Sequence, residues 1–202
     1  MVFSMRSSRN AKAVQQVATW RLCVTMLVIL TATLGVAARA EGFNVRDAQT
    51  RLVDGVYLLH ADLDLSFSNQ ALEALNSGGA LTVVVELKIV QTRRYFWDKR
   101  IAKLEAKQQL RVHALSGQFI VENLNSGATL AFRTLPKALD ALGMLESFPM
   151  LDEHLLKADA SYELKLRARL DIESLPAPLR PVAYLSSFWR EKSEWSTWPI
   201  NR

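Results

Sequence analysis

Two stretches of strict alternation limit what this chain can fold into more than anything else in it. Across residues 56–67, Tyr57, Leu59, Ala61, Leu63, Leu65 and Phe67 fall on one side and His60, Asp62, Asp64 and Ser66 on the other. Across 161–173, Tyr162, Leu164, Leu166, Ala168, Leu170 and Ile172 alternate with Glu163, Lys165, Arg167, Arg169, Asp171 and Glu173. A helix would scatter those charges around its circumference, whereas a strand sets every one of them on the solvated face. Both stretches therefore predict strands with one buried side.

The rest of the pattern extends this to a mainly β domain. Residues 81–90 carry Leu81, Val83, Val85, Leu87 and Ile89 on one face, and Val84 and Val90 beside Glu86 and Lys88 on the other, which predicts a more central strand. Residues 101–114 and 118–123 flank the turn Leu115-Ser116-Gly117, and Asn125-Ser126-Gly127 leads into 129–133. Asp54-Gly55 is a two-residue hairpin signal, since both positions tolerate positive φ, and it pairs 43–53 with 56–67. Two short helices are expected: 70–76, capped by Ser68 or Asn69 and ended by Gly78-Gly79, and one capped by Thr134 with Pro136 in its first turn and Leu135, Leu139 and Leu142 on one side. The densest loop signal is 175–181, which holds three of the six prolines. Seven or eight strands in hairpin order suggest an antiparallel β-sandwich, of immunoglobulin-like architecture without its Cys-Trp-Cys core, or else a partly closed barrel.

Ahead of this domain, residues 1–40 read as a secretory signal peptide. Arg6, Arg9, Lys12 and Arg21 supply a basic region, 22–36 an apolar run, and Ala38-Arg39-Ala40 small side chains at a cleavage site. The alternative is an uncleaved anchor, because 22–38 approaches the roughly 20 apolar residues that span a bilayer. In either case the bulk of the chain, residues 41–202 as a single sandwich domain, is expected in the periplasm, free or held at the inner membrane. The sole cysteine, Cys23, belongs to the leader, so the remainder has no disulfide, thiol or cysteine-metal chemistry. The charge excess goes the same way. The chain has 25 Lys+Arg against 20 Asp+Glu, but Arg6, Arg9, Lys12, Arg21 and Arg39 lie in the leader and no acid does. What remains is formally neutral, and a nucleic-acid partner is not implied.

No motif specifies a reaction. A nucleophile elbow, a phosphate-cradling glycine loop and a dinucleotide fingerprint are all missing, so no catalytic, cofactor-binding or metal-binding residue is assigned and a non-enzymatic role is expected. His60, Asp62 and Asp64 share a strand face and give a metal-assisted hydrolase its weak case. Their spacing of about 7 Å suits a solvated polar face better than one ion.

Two aromatic-basic runs stand out. Arg93-Arg94-Tyr95-Phe96-Trp97-Asp98-Lys99-Arg100 sets four cations around three aromatics between two strands, suited to an anionic headgroup, a glycan or a protein. Its plainer reading is a long hairpin end whose rings fold onto the core while the charges snorkel. In the C-terminal run, Trp189 and Trp195 share strand parity and Trp198 does not. These rings either form an interfacial belt or close the sandwich. The candidate partner-binding residues are therefore Arg93, Arg94, Tyr95, Trp97, Arg100, Trp195 and Trp198. The expected partner is an envelope protein or the membrane surface. An apolar or lipid ligand carried inside the sandwich is the alternative, and no small molecule is specified.

The same segments carry a resemblance. After the leader come Ala74-Leu75-Asn76-Ser77-Gly78, Arg94-Tyr95-Phe96-Trp97-Asp98, Leu110-Arg111-Val112-His113-Ala114-Leu115-Ser116-Gly117-Gln118-Phe119, Leu175-Pro176-Ala177-Pro178-Leu179 and Ser193-Glu194-Trp195-Ser196-Thr197-Trp198-Pro199. In this order they resemble the proteobacterial DUF4390 family, exported proteins sometimes labelled proline-rich signal-peptide proteins. The likeness covers nearly all of 42–200. It implies a Gram-negative host and a periplasmic destination, and it lends no activity or catalytic residue.

Overall fold

A computed structural model describes residues 42–200, apart from Phe96, Pro176, Pro178, Leu179, Ser187, Phe188, Arg190 and the side chain of Val182. The leader expected in 1–40 lies outside the described residues. No helix among those described is long and apolar enough to cross a membrane.

The chain runs β1 (Phe43–Val53), β2 (Val56–Leu65), α1 (Asn69–Asn76), β3 (Ala80–Gln91), β4 (Lys99–Val112), β5 (Phe119–Asn123), β6 (Thr129–Phe132), α2 (Leu135–Gly143), β7 (Met144–Asp152), β8 (Tyr162–Leu170), α3 (Arg180–Leu185) and β9 (Ser196–Pro199). Two antiparallel sheets form, one in the order β1-β2-β7 and the other β6-β5-β4-β3-β8-β9. They stack with β1 against β8 and β9, and β7 against β4. Neither sheet closes on itself, so the sandwich holds and the barrel alternative does not.

The alternating strands behave as their sequences require. Tyr57, Leu59, Ala61, Leu63 and Leu65 of β2 meet Leu81, Val83, Val85, Leu87 and Ile89 of β3 and Leu164, Leu166, Ala168 and Leu170 of β8 in one core. Strand β3 is central, paired on both sides, and its second face is largely covered as well, which explains Val84 and Val90. At the β1–β2 hairpin Asp54 has φ 49° and Gly55 φ 79°, the two positive values that a tight turn between twisted strands demands.

Several expectations need correction. The described residues hold nine strands rather than seven or eight, because β7 has no readable alternation. Pro149 interrupts it, Ser147 sits at φ 51°, and its pairing with β2 shifts register twice. As an edge strand β7 tolerates that proline. A third helix, α3, begins at Arg180, inside the 175–181 segment that reads as loop. Ser68 does cap α1, its Oγ accepting from the Ala71 N–H at 3.4 Å. Thr134 precedes α2 without a side-chain cap bond, and its carbonyl instead accepts from the Ala138 N–H at 3.2 Å. Where α2 ends against β2, a Cβ on Gly143 would lie 2.3 Å from the Leu63 carbonyl oxygen, so only glycine fits.

Candidate functional site: a cationic sheet face and an aromatic loop

The register of the six-stranded sheet decides what its outer face carries. Lys88 of β3 lies directly opposite Lys103 of β4 and Lys165 of β8, so three ammonium side chains share one row. In the next row Glu86 lies between Glu105 and Arg167, and beyond it Val84 lies between Lys107 and Arg169. Like charges directly opposite one another destabilise a sheet, and each lysine of the central row is relieved differently. Lys103 Nζ is 3.4 Å from Glu105, and Lys165 Nζ is 3.3 Å from Asp98 and 3.9 Å from Glu163. Lys88 Nζ sits 3.9 Å above the ring of Trp195 instead.

Glu86 organises the β8 side of this face. Its Oε2 accepts from Arg167 Nε at 3.1 Å and from Nη2 as well, and its Oε1 accepts from Arg169 Nε at 3.0 Å. Only 7% exposed, the carboxyl is pushed up by burial. The hydrogen bonds and charges of the two arginines outweigh that and hold it below its ordinary value. Arg167, fixed in this way, places its guanidinium 4.6 Å from the Trp195 ring centroid on the side chain's way to Glu86. Trp195 is thus a half-buried ring shared by two cations.

The β3–β4 loop continues the face beyond the end of the sheet. At this end of the sheet the chain leaves β3 at Gln91, opposite Tyr162 of β8, and returns at Lys99. Tyr95 is 83% and Trp97 94% exposed, and Arg93, Arg94, Asp98, Lys99 and Arg100 are exposed with them. The plainer expectation, rings folded onto the core, is corrected for Tyr95 and Trp97, whose rings stand in water, while Phe96 lies outside the described residues. Arg94 lies 5.9 Å from the Tyr95 ring. The loop's only carboxylate, Asp98, is engaged by Lys165 of the sheet face.

The other candidates distribute as follows. Trp198 points to the opposite side of its sheet, opposite Leu164, and packs on the core with the buried Trp189, so it is no part of the face. Of the C-terminal rings, two therefore help close the sandwich and Trp195 alone joins the cationic surface. On the three-stranded sheet, Asp62 and Asp64 are paired with Arg46 at 3.8 and 3.1 Å. Among the described residues no cluster of histidine and acidic side chains has metal-holding geometry. A cleft of about 390 Å³ opens at the far end of β8, with Leu170, Ile172 and Trp189 as apolar lining and Arg169, Asp171 and Lys192 among its charges. Sequence reasoning missed Glu86, Lys88, Lys103, Lys165 and Arg167 as one surface. The alternation puts each on an outer face, but only the register sets them side by side.

Neither a curated protein nor a solved structure matches the chain. A family model described as a domain of unknown function, DUF4390, matches residues 40–199, the whole sandwich with its loop and its Trp195 segment, and the chain belongs to that family.

Proposed function

We propose that this protein is an exported, periplasmic, non-enzymatic binding or adaptor domain that engages a component of the cell envelope through the 92–98 loop and the adjoining sheet face. One observation carries the reading: Arg93, Arg94, Tyr95, Trp97 and Arg100 are exposed together at the end of a sheet whose outer face is rich in lysine and arginine. Large rings left in water cost free energy that an interface recovers, and arginine beside them gives charge and directional hydrogen bonds. Export is the matching expectation from the basic, apolar and small-residue regions of the leader.

The test is in vivo crosslinking from a photoreactive side chain at position 97, with envelope fractions separated afterwards. A crosslinked envelope component, lost when Arg94 and Arg100 are replaced by alanine, is the expected result. Absence of any crosslink, with all co-purifying partners retained by the Arg94→Ala/Trp97→Ala/Arg100→Ala variant, overturns the reading.

A carrier role draws on a different observation, the cleft floored by Leu170, Ile172 and Trp189. Native mass spectrometry of protein purified from the exporting cell tests it, since a carried lipid appears as added mass.

A further inference from the structure

We infer that the partner of the 92–98 loop is the surface of an anionic phospholipid bilayer, an inference that rests on the binding role proposed above. The loop's described side chains from Arg93 to Asp98 stand exposed beyond the paired ends of β3 and β4. The loop ends in two rings that are almost wholly in water, flanked by Arg93 and Arg94 on the entering side and Lys99 and Arg100 on the leaving side. Among the described residues none of these four cations has a carboxylate in ion-pair contact, although the neighbouring sheet face is laced with such pairs. Asp98, the acid that would cancel part of their charge, is drawn away to Lys165 at 3.3 Å. What is left at the tip is a patch of single sign around amphipathic rings.

That combination fits a planar interface. Tyrosine and tryptophan settle at headgroup level, where one end of the ring is apolar and the other wet. Arginine and lysine around them meet phosphate, and the anionic surface potential rewards each such charge. An acidic protein would satisfy the cations too. However, a protein hot spot places its tryptophan against a well-packed surround, whereas Trp97 is 94% exposed. In the lysine row behind the loop, Lys103 is balanced by Glu105 and Lys165 by Asp98 and Glu163, so the unbalanced positive charge is concentrated at the tip and approach with the tip leading is electrostatically favoured.

The experiment uses the purified protein with vesicles of phosphatidylglycerol and phosphatidylcholine in equal parts, against vesicles of phosphatidylcholine alone, at low and high salt. Sedimentation with the anionic vesicles is expected, weakening by about fivefold for each cation removed in Arg93→Gln and Arg94→Gln and falling as salt screens the surface. Tryptophan emission is expected to move to the blue on the anionic vesicles, and Trp97→Phe to abolish that movement. These loop variants must keep the wild-type circular dichroism and urea midpoint, so loss of fold is separable from loss of contact. Equal binding to both vesicle types, no binding to either, or binding indifferent to Arg93, Arg94 and Trp97 overturns the lipid assignment. If vesicles fail while the position-97 crosslink captures a protein, the lipid inference falls and the binding role stands. If both fail, both fall.

Discussion

Two segments that look alike in the sequence, aromatics mixed with cations near Trp97 and near Trp195, end in opposite states. The Trp195 ring lies on the sheet between Lys88 and Arg167, while the Trp97 ring stands in water. The aromatic residues do not account for the difference. Behind Trp195 there is a buried carboxylate, Glu86, which holds Arg167 and Arg169 flat on the sheet and gives the ring something ordered to lie against. Behind Trp97 there is only Asp98, which is exposed and committed to Lys165. In this molecule the cation-rich aromatic segment with an anion buried beneath it packs on the sheet, and the one without stays exposed.

The most direct way to break this comparison is to remove the anion. Glu86→Gln leaves two arginines facing a neutral amide at a site that is 7% exposed. The expected cost is about 2–3 kcal/mol, at the low end for orphaning one side of a buried ion pair because both arginines keep some water. Urea unfolding followed by circular dichroism reads it, and an unchanged midpoint would make the cluster ornamental. A smaller version of the same loss appears on acidification. The Glu86 carboxyl is held below its ordinary value when folded, so its contribution is complete above the unfolded pKa of about 4.3. It is then lost as pH falls from there through the folded value. Stability of the wild type should drop across that window, and Glu86→Gln should flatten the part of the drop that belongs to this residue.

Next in size is the ring itself. Trp195→Ala gives up two cation contacts and half-buried apolar area, for an expected loss of about 1.5 kcal/mol. If Lys88 and Arg167 simply rehydrate without cost, the loss shrinks towards zero and the ring is a passenger on the face.

Much of this architecture is legible in the sequence alone. Strands β2 and β8 announce themselves by alternation, and the central place of β3 by Val84 and Val90 on its second face. Strand β7 was invisible because Ser147, Pro149 and two register shifts destroy its period, leaving pairing with β2 as the only thing that makes it a strand. The site was half legible for a related reason. Composition shows that the 93–100 run is cationic and aromatic, but whether rings pack depends on where the core ends. The lysine row depends on pairing among Lys88, Lys103 and Lys165, which are distant along the chain. Local pattern carries faces; it does not carry neighbours.

The smallest expected change in stability sharpens the comparison most. Trp97 is 94% exposed and touches no core residue in the way that Trp198 does. Trp97→Ala should therefore move the urea midpoint by no more than about 0.5 kcal/mol, the ordinary range for a surface position. The same variant should lose the position's contact with its partner, read as the loss of vesicle sedimentation or of co-purification. A ring kept for packing gives the reverse: a clear stability loss with binding intact. Trp195→Ala, measured beside it under one buffer, should show the larger stability loss of the two. If the two variants gave the same pair of readings, the buried carboxylate beneath one segment would not be what separates them.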